Sequence, residues 1–459
     1  MSDEVTEPVE MLLPALKIRK RSSSIQEFIE YNYRFLILFM HSMANLFTAV
    51  TYITCSPITS DLETIYSYSY LVVSLSSLIY MFTFIPINFP GDYIMDHMGL
   101  RKGMILGVLF TISGSWVRIL VNRNFLFVIL GQFISSLGQP FIVNSPAKIA
   151  ATWFNQNNRV KATTFLSIIG PIGIGLGFLI PGIAMGDQNI LTNDEKKDRV
   201  YNIMFYEALI FTILNLPTFF FFRKQPKTPP SYSEKVMKIG FCRSFHKTIT
   251  NKNYVLFLFY HGLVYGCFNS QAVIMNMVLK PFGYTDFDNG LVGAVLIVFG
   301  LAGSIVISMF ISKTQKYKFW LGICTLGYII SVILMIFLLD TGSVYILMIS
   351  VMVLGFFGLP ILPISFEFAC EINFPIGETF TCGLLVCFVQ IIAIVCSLVL
   401  EIFLTGGTKL ESYLILAILG GVLIVGSGFL FFVKENLRRK KLEKKESNVS
   451  IAGDLNFKV

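Results

Sequence analysis

The sequence has few of the residues on which most soluble enzymes depend. Only 14% of its residues are charged, against about a quarter in typical soluble domains. Its four histidines include no HxxxH pair, and its eight cysteines show no CxxC spacing. Neither a zinc site nor a disulfide framework is therefore indicated. No paired carboxylates or activated nucleophile are visible, so we predict no enzyme activity, no metal and no cofactor.

Apolar residues are what the sequence has in abundance. They make up 54% of the chain, and the mean hydropathy is +0.69. A helix needs about 20 mostly apolar residues to cross a bilayer, and runs of that length recur. They predict an all-α integral membrane protein with twelve spans, at residues 33–57, 65–90, 103–121, 125–153, 162–184, 201–222, 254–281, 288–312, 317–339, 343–369, 379–404 and 411–433.

The net charge of +8 lies in short loops and tails beside these spans. Arg101, Lys102 and the tail 434–445 lie on one side of the predicted membrane, whereas Asp286 and Asp340 lie on the other. The positive-inside rule then puts both termini and the central loop in the cytosol. We expect the lipid bilayer as the partner of this surface, and no nucleic acid.

The chain divides into two halves of six spans. A central Pro-rich, basic loop separates them, and FLILFMH at residues 35–41 resembles VLFLFYH at 255–261, which begins span 7. A six-plus-six repeat around a site at mid-membrane is typical of a large class of transporters. The predicted units are a cytosolic tail 1–32, a bundle 33–222, a cytosolic linker 223–253, a bundle 254–433 and a cytosolic tail 434–459.

Span 4 is too polar to be only a lipid-facing helix. Gln132, Gln139 and Asn144 lie at depth, and Pro140 and Pro146 interrupt its backbone hydrogen bonds. Amides and free carbonyl groups are costly in hydrocarbon unless they face protein or a water-filled cavity. We therefore predict that span 4 lines a polar interior.

The loop after span 2, DHMGLRK at residues 96–102, resembles the signature of the major facilitator superfamily. A histidine replaces the usual cation after the acid. An aspartate facing basic residues across a tight glycine turn makes a contact between bundles that can break and re-form. We predict this gating role for Asp96, Arg101 and Lys102. The alternative is that Arg101 and Lys102 are only topology charges.

A closer resemblance covers nearly the whole chain. Residues 131–154, GPIGIGLGF at 170–178 and FEFACEINFPIGETFTCG at 366–383 are similar to the FLVCR-type solute carriers. That family includes choline and ethanolamine facilitators, once described as haem exporters, and a lysosomal relative implicated in pyridoxine transport. The glycines of 170–178 also mimic a dinucleotide fingerprint, but their apolar flanks indicate close helix packing instead.

The resemblance implies a binding site shared by the two bundles. Two glutamines of the choline-type members correspond to Gln139 in span 4 and Gln390 in span 11, and both are retained. The aromatic pair that cages the quaternary ammonium corresponds to Ala49 and Asn269, so both aromatics are absent. An ammonium over an aromatic face gains about 0.5–2 kcal/mol. Their loss argues against tight choline binding in the same pose.

Spans 1 and 7 also carry polar side chains on one helix face each. Their spacing of three and four residues favours a polar cavity between two pseudo-symmetric helices. For any single amide, contact between helices is at least as good an explanation, and a structural role is the stronger one for either histidine. With Asn144 of span 4, the candidate solute-binding residues are His41, Asn45, Thr48, His261, Tyr265, Asn269 and Asn276.

Carboxylates are scarce in the central helices. Spans 1, 4 and 7 have none at depth, which favours facilitated diffusion over proton coupling. Glu367 at the end of span 10 is the fallback proton carrier or cation partner, although its place in the family-like stretch favours a structural role.

We therefore predict a transporter of a small polar or cationic organic solute, such as choline, ethanolamine or pyridoxine, working by alternating access. The alternative is a transport-inactive receptor, scaffold or subunit of a membrane complex. The acidic dileucine stretch EPVEMLLPAL hints weakly at endolysosomal sorting, so the plasma membrane and endolysosomal membranes both stay open.

Overall fold

The computed structural model describes residues 31–185, 192–230, 241–284, 286–403, 408–442 and 444, and these contain helices and no strand. The main helices, in chain order, are Tyr33–Ile53, Thr59–Tyr66, Tyr70–Tyr93, Leu100–Arg118, Leu126–Ser136, Gln139–Val143, Pro146–Trp153, Gln156–Met185, Asn193–Phe221, Phe241–Thr250, Lys252–Leu279, Asp286–Thr314, Tyr317–Leu338, Val344–Gly358, Ile361–Asn373, Glu378–Phe403 and Lys409–Phe432.

The twelve predicted spans are all represented. Ten helical segments in the described part of the chain are long and apolar enough to cross a membrane. Tyr70–Tyr93 and Lys252–Leu279 occupy the positions predicted for spans 2 and 7 and pack among those ten. The all-α membrane fold in two bundles is thus confirmed, whereas the cytosolic orientation of the termini stays a prediction.

Proline divides two of the spans. Pro140 and Pro146 stand at the starts of the second and third pieces of span 4, where a missing backbone N–H costs least. In span 10, Pro360 stands at the break between Val344–Gly358 and Ile361–Asn373. These breaks let polar groups at depth turn away from the lipid.

Glycine allows spans 1 and 5 to pack closely. A Cβ at Gly173 would lie 2.3 Å from the Leu46 carbonyl oxygen and 2.8 Å from the Ala49 Cβ, and one at Gly177 would lie 2.3 Å from Ile53 Cγ2. The backbones therefore approach to a distance that any larger residue would prevent. This confirms the packing role predicted for the glycines of 170–178 and shows that Ala49 lies against span 5.

The two bundles meet mainly along three pairs of helices. Span 2 packs on span 11, and span 5 packs on span 8 and on the second piece of span 10. Within the first bundle, a buried ion pair joins spans 3 and 6, with 2.8 Å between Arg118 Nη1 and Glu207 Oε1. Thr54 of span 1 donates its hydroxyl to the other oxygen of Glu207 at 3.0 Å. Both Glu207 oxygens are thus bound inside the bundle, whereas Nε and Nη2 of Arg118 have no partner among the described residues.

The predicted linker contains one helix, Phe241–Thr250, directly before span 7. After span 12, residues 438–442 are also helical and return to the bundle. The dileucine stretch, residues 231–240 of the linker and residues 445–459 lie outside the described part of the chain.

Candidate functional site

The two glutamines of the predicted site both have an unused acceptor. Gln139 begins the short middle piece of span 4, and Gln390 lies in the middle of span 11. Both side chains are half-buried, and the Oε1 atom of each is buried without a hydrogen-bond partner among the described residues. Buried acceptors are normally satisfied by protein, by water or by a ligand. Each bundle therefore supplies one amide oxygen that can accept a hydrogen bond.

Two of the polar residues predicted on span 1, His41 and Asn45, are hydrogen-bonded to neighbouring helices of the same bundle, whereas the buried Thr48 hydroxyl has no partner among the described residues. His41 Nε2 lies 3.1 Å from the Ile142 carbonyl oxygen of span 4, and Asn45 donates to the Leu166 carbonyl oxygen of span 5 at 3.0 Å. The His41 contact uses a carbonyl freed near the proline breaks of span 4. Both side chains are buried. The contact of Asn45 accounts for its buried amide nitrogen, whereas His41 Nδ1 has no partner among the described residues, and a binding role for either side chain stays a prediction.

On span 7, His261 lies within a column of aromatic rings. It stacks on Tyr265, with 5.4 Å between ring centroids, and on Phe257 at 6.3 Å. Neither ring nitrogen of His261 has a hydrogen-bond partner within the described chain, although the side chain is buried. Asn269 is half-buried, and the side chain of Asn276 lies outside the described part of the structure.

Asn144 belongs to a cluster that the sequence analysis missed. Its Nδ2 donates to Asn88 Oδ1 at 2.6 Å and to Asp92 Oδ1 at 3.0 Å, and Asn88 Nδ2 donates to Asp92 Oδ2 at 3.0 Å. The sequence contained a signal for it, because Asn88, Asp92 and Asp96 recur every four residues on one face of span 2.

Asp96 connects the two bundles. Lys148 of span 4 lies 2.5 Å from Asp96 Oδ1, and the Thr379 hydroxyl of span 11 donates to the same oxygen at 3.0 Å. The backbone N–H of Phe380 donates to Asp96 Oδ2 at 3.1 Å. An anion at a helix N-terminus is favourable because the first N–H groups of the helix have no partner within it. Asp96 therefore holds the beginning of span 11.

The expected partners of Asp96 lie elsewhere. Gly99 forms the predicted tight turn with φ +99°, but Arg101 and Lys102 beyond it are exposed. The Arg101 guanidinium donates to the Phe219 carbonyl oxygen of span 6 at 3.4 Å. The cation on Asp96 is Lys148 instead. The described contacts of Arg101 and Lys102 thus give no support to their predicted gating role.

A second cluster lies at the end of span 10. Arg439, from the tail after span 12, donates through Nε to Glu371 at 2.9 Å and through Nη2 to Glu367 at 2.8 Å. Glu367 also accepts a hydrogen bond from Thr163 of span 5 in the other bundle. Burial alone would lower the pKa of Arg439, but the two carboxylates more than offset this and hold that pKa above its ordinary value. Glu367 is therefore bound by protein groups.

We call these two clusters the inner gate, because both lie on the side predicted to be cytosolic. The first contains Asp96, Lys148, Thr379 and Phe380, and the second contains Thr163, Glu367, Glu371 and Arg439. Each joins the two bundles through hydrogen bonds to charged groups, which can break and re-form. Among the described residues, no group of histidine, cysteine, aspartate and glutamate side chains is arranged to hold a metal ion.

Two six-helix bundles, with broken polar helices and ion-paired contacts between them, define a membrane transporter of the secondary type. The chain belongs to the major facilitator superfamily, whose family model matches residues 35–375.

Curated relatives are similar over most of the chain. The choline/ethanolamine transporter flvcr2a of Danio rerio is 29% identical over 431 residues, covering 91% of this chain and 90% of that protein. The choline/ethanolamine transporter FLVCR1 of Felis catus is 29% identical, with 92% of this chain and 76% of that protein covered. The choline/ethanolamine transporter FLVCR2 of Homo sapiens is 27% identical, with 89% of this chain and 78% of that protein covered.

Solved structures support the fold. The transporter FucP in its outward conformation matches with a TM-score of 0.68 at 11% identity, covering 87% of this chain and 99% of that one. A double Trp mutant of XylE matches with a TM-score of 0.67 at 14% identity, covering 90% and 100%.

Proposed function

We propose that this protein carries a small organic amine across its membrane by alternating access. The observation that carries the proposal is the pair of buried, unpartnered amide oxygens of Gln139 and Gln390, one from each bundle. A solute that binds both would bridge the bundles, so its binding would depend on how far apart they stand. That dependence is what allows a solute to bias a conformational equilibrium.

The chemistry of these two groups favours one class of solute. Both unused atoms are acceptors, so a ligand that satisfies them must donate hydrogen bonds. A primary ammonium with a hydroxyl group, as in ethanolamine, has donors at both ends. A quaternary ammonium, as in choline, has a donor only at its hydroxyl. We therefore assign an ethanolamine-type amino alcohol as the preferred solute, a choice that agrees with the similarity to choline/ethanolamine transporters.

The inner gate supports the alternating-access part of the proposal. Its contacts would have to break for the solute to leave on that side, and every one of them is a hydrogen bond or an ion pair. We assign Glu367 to this gate rather than to proton transfer, because Arg439 and Thr163 already occupy its oxygens. The absence of carboxylates from spans 1, 4 and 7 supports movement of the solute down its own gradient.

The test is binding and flux with matched variants. Gln139→Ala and Gln390→Ala should each weaken ethanolamine binding about 5- to 150-fold, since a buried partner left unpaired costs ~1–3 kcal/mol. Binding is measured as the solute-dependent rise in melting temperature of the purified protein. Flux is measured in vesicles containing the parent or either variant, with choline and pyridoxine as competing solutes.

Parental binding and flux in both alanine variants would show that the amides only join helices. Binding without flux in the parent would favour a receptor that has lost transport. A preference for pyridoxine would be compatible with the proposed site but would contradict the assignment of an ethanolamine-type solute.

A further inference from the structure

The Asn88–Asp92–Asn144 cluster has a chemistry that solute binding does not need. Asp92 is 1% exposed, and Asn88 and Asn144 are fully buried. The described hydrogen bonds to Asp92 come from the two amides, at 3.0 Å each. Asn144 Oδ1 is buried without a partner in the described structure. The cluster therefore holds one carboxylate and one spare acceptor away from water.

Span 11 of the other bundle covers the cluster. A Cβ at Gly383 would lie 2.2 Å from Asp92 Oδ2 and 2.6 Å from Asn144 Nδ2. Asp96, one helical turn after Asp92, holds the beginning of the same span. Any motion that opens the inner gate by separating spans 2 and 11 must therefore expose Asp92 to water.

The charged and titratable groups around Asp92 do not neutralise it directly. Asp96 has the same charge, and Lys148 is paired with Asp96 at 2.5 Å. The other neighbours are the Cys387 thiol of span 11 and the Tyr254 hydroxyl of span 7, which donates to the Thr381 carbonyl oxygen. Burying an ionised carboxylate is costly unless a cation and full hydrogen bonding compensate for it. While the gate is closed, the protonated, neutral form of Asp92 therefore has the lower free energy.

We propose that Asp92 is a proton-binding site of the inner gate, with the proton bound when the gate is closed and released to the cytosol when it opens. No covalent bond between heavy atoms changes: the Asp92 O–H bond breaks and water takes the proton. Both amides donate to Asp92 in the structure, and because an amide that turns over exchanges its donor and its acceptor, the same two residues can also bind the protonated acid. The proposal rests on the proposed function only in requiring that the gate opens.

The direction of the pH dependence follows from linkage. The closed state binds the proton more tightly than the hydrated open state, so acid favours the closed gate and alkali favours the open one. For a single proton, the ratio of open to closed molecules changes at most tenfold per pH unit. Acid in the cytosol therefore lowers the fraction of molecules with an open gate.

The experiment measures the gate and needs no solute. Labels are introduced through unnatural amino acids at Lys161, before span 5, and Lys313, at the end of span 8, which are exposed on the predicted cytosolic side. Their distance in the full-length protein in nanodiscs is followed from pH 5 to pH 9, a range of test conditions chosen to pass through a carboxyl or histidine titration. We expect the distance to increase with pH in the parent.

Two variants test whether Asp92 and its cover by span 11 cause the pH dependence of the label distance. Asp92→Asn keeps the shape of the protonated acid but cannot release a proton, so the short distance should persist at every pH. Gly383→Ala suits a helix but not the closed interface, so the long distance should dominate at every pH. Gly421→Ala, where a Cβ meets nothing within 4 Å, is the matched control and should follow the parent.

His97, exposed in the π-helical segment Ile94–Met98 that follows span 2, needs its own control because histidines as a class can change charge within the tested pH range. His97→Gln should keep the parental pH curve. The proposal is overturned if the parent shows no pH dependence, if Asp92→Asn keeps the parental curve, or if His97→Gln abolishes it. If the labels respond as expected while no solute moves in vesicles, the proton site stands and the proposed transport function fails.

Discussion

Spans 4 and 10 occupy equivalent places in the two bundles, and both break at a Gly-x-Pro sequence. Beyond the break they carry opposite charges. Span 4 contributes Lys148, whereas span 10 contributes Glu367 and Glu371. Lys148 reinforces a direct contact between the bundles, but the glutamates bind a residue of the tail as a third component. The broken helix therefore occurs in both clusters of the inner gate. In the cluster around Asp96 all the partners come from the two bundles, whereas the cluster at the end of span 10 also needs Arg439 from the tail.

The largest effect should come from removing the third component. Arg439→Ala leaves two neighbouring buried carboxylates without their cation, which should destabilise the closed gate by about 3–5 kcal/mol. The distance between labels at Lys161 and Lys313 should increase accordingly. Glu367→Gln together with Glu371→Gln should restore the short distance in that background. Lys441→Ala, two residues further on and exposed, is the control. An unchanged distance in Arg439→Ala would show that the tail contacts the gate without stabilising its closed state.

A smaller effect is expected on the span 4 side. Asp96→Asn removes the charge that binds Lys148 and the start of span 11, but leaves an oxygen that can still accept. A hydrogen bond to a charged group contributes about 1.5–3 kcal/mol to stability. We expect Asp96→Asn to lose part of this stabilisation of the closed gate. The measurement is the melting temperature together with the label distance.

The matched control is Asp340→Asn, whose pair with Lys409 is also 2.5 Å long but more than half exposed. It should change nothing measurable, because water already solvates both groups. Equal effects of the two changes would mean that burial of the Asp96 pair is unimportant.

The smallest effect should come from Arg101→Ala. Its guanidinium is exposed and makes a long hydrogen bond, 3.4 Å, to the Phe219 carbonyl oxygen. Label distance and melting temperature should both match the parent. A gate that opens as far as in Asp96→Asn would instead show that the pair across the Gly99 turn is the functional one, as the sequence alone predicted.

The spans and their breaks were predictable because they depend on local properties. An apolar run of sufficient length predicts a membrane span, and a proline within it predicts a break in the helix, whichever helices pack against it. The glycines of 170–178 were also interpreted correctly, since small residues in an apolar helix have few other uses. Gln139 and Gln390 came from the family resemblance, and the structure adds that one oxygen of each is unused.

The gate was harder to predict because its partners are far apart in sequence. Arg439 lies in a run of four basic residues, 438–441, and nothing local distinguishes it from the topology charges around it. Only the approach of the tail to span 10 selects it. Asp92 differs, since its spacing with Asn88 and Asp96 was visible. Its importance depends on Gly383, almost 300 residues later, whose missing side chain lets span 11 cover it.

The sequence separation within the gate has a consequence for biosynthesis. Asp96 and Thr379 are 283 residues apart, so at ~5–20 residues per second the ribosome needs roughly 15 to 60 s to make the second after the first. Lys148 and Asn144 are made only 52 residues after Asp96 and Asp92, so for most of that time they are present and can bind them. The first bundle can therefore enter the membrane with its acidic side chains partnered, and the nascent chain need not wait for span 11 to protect them.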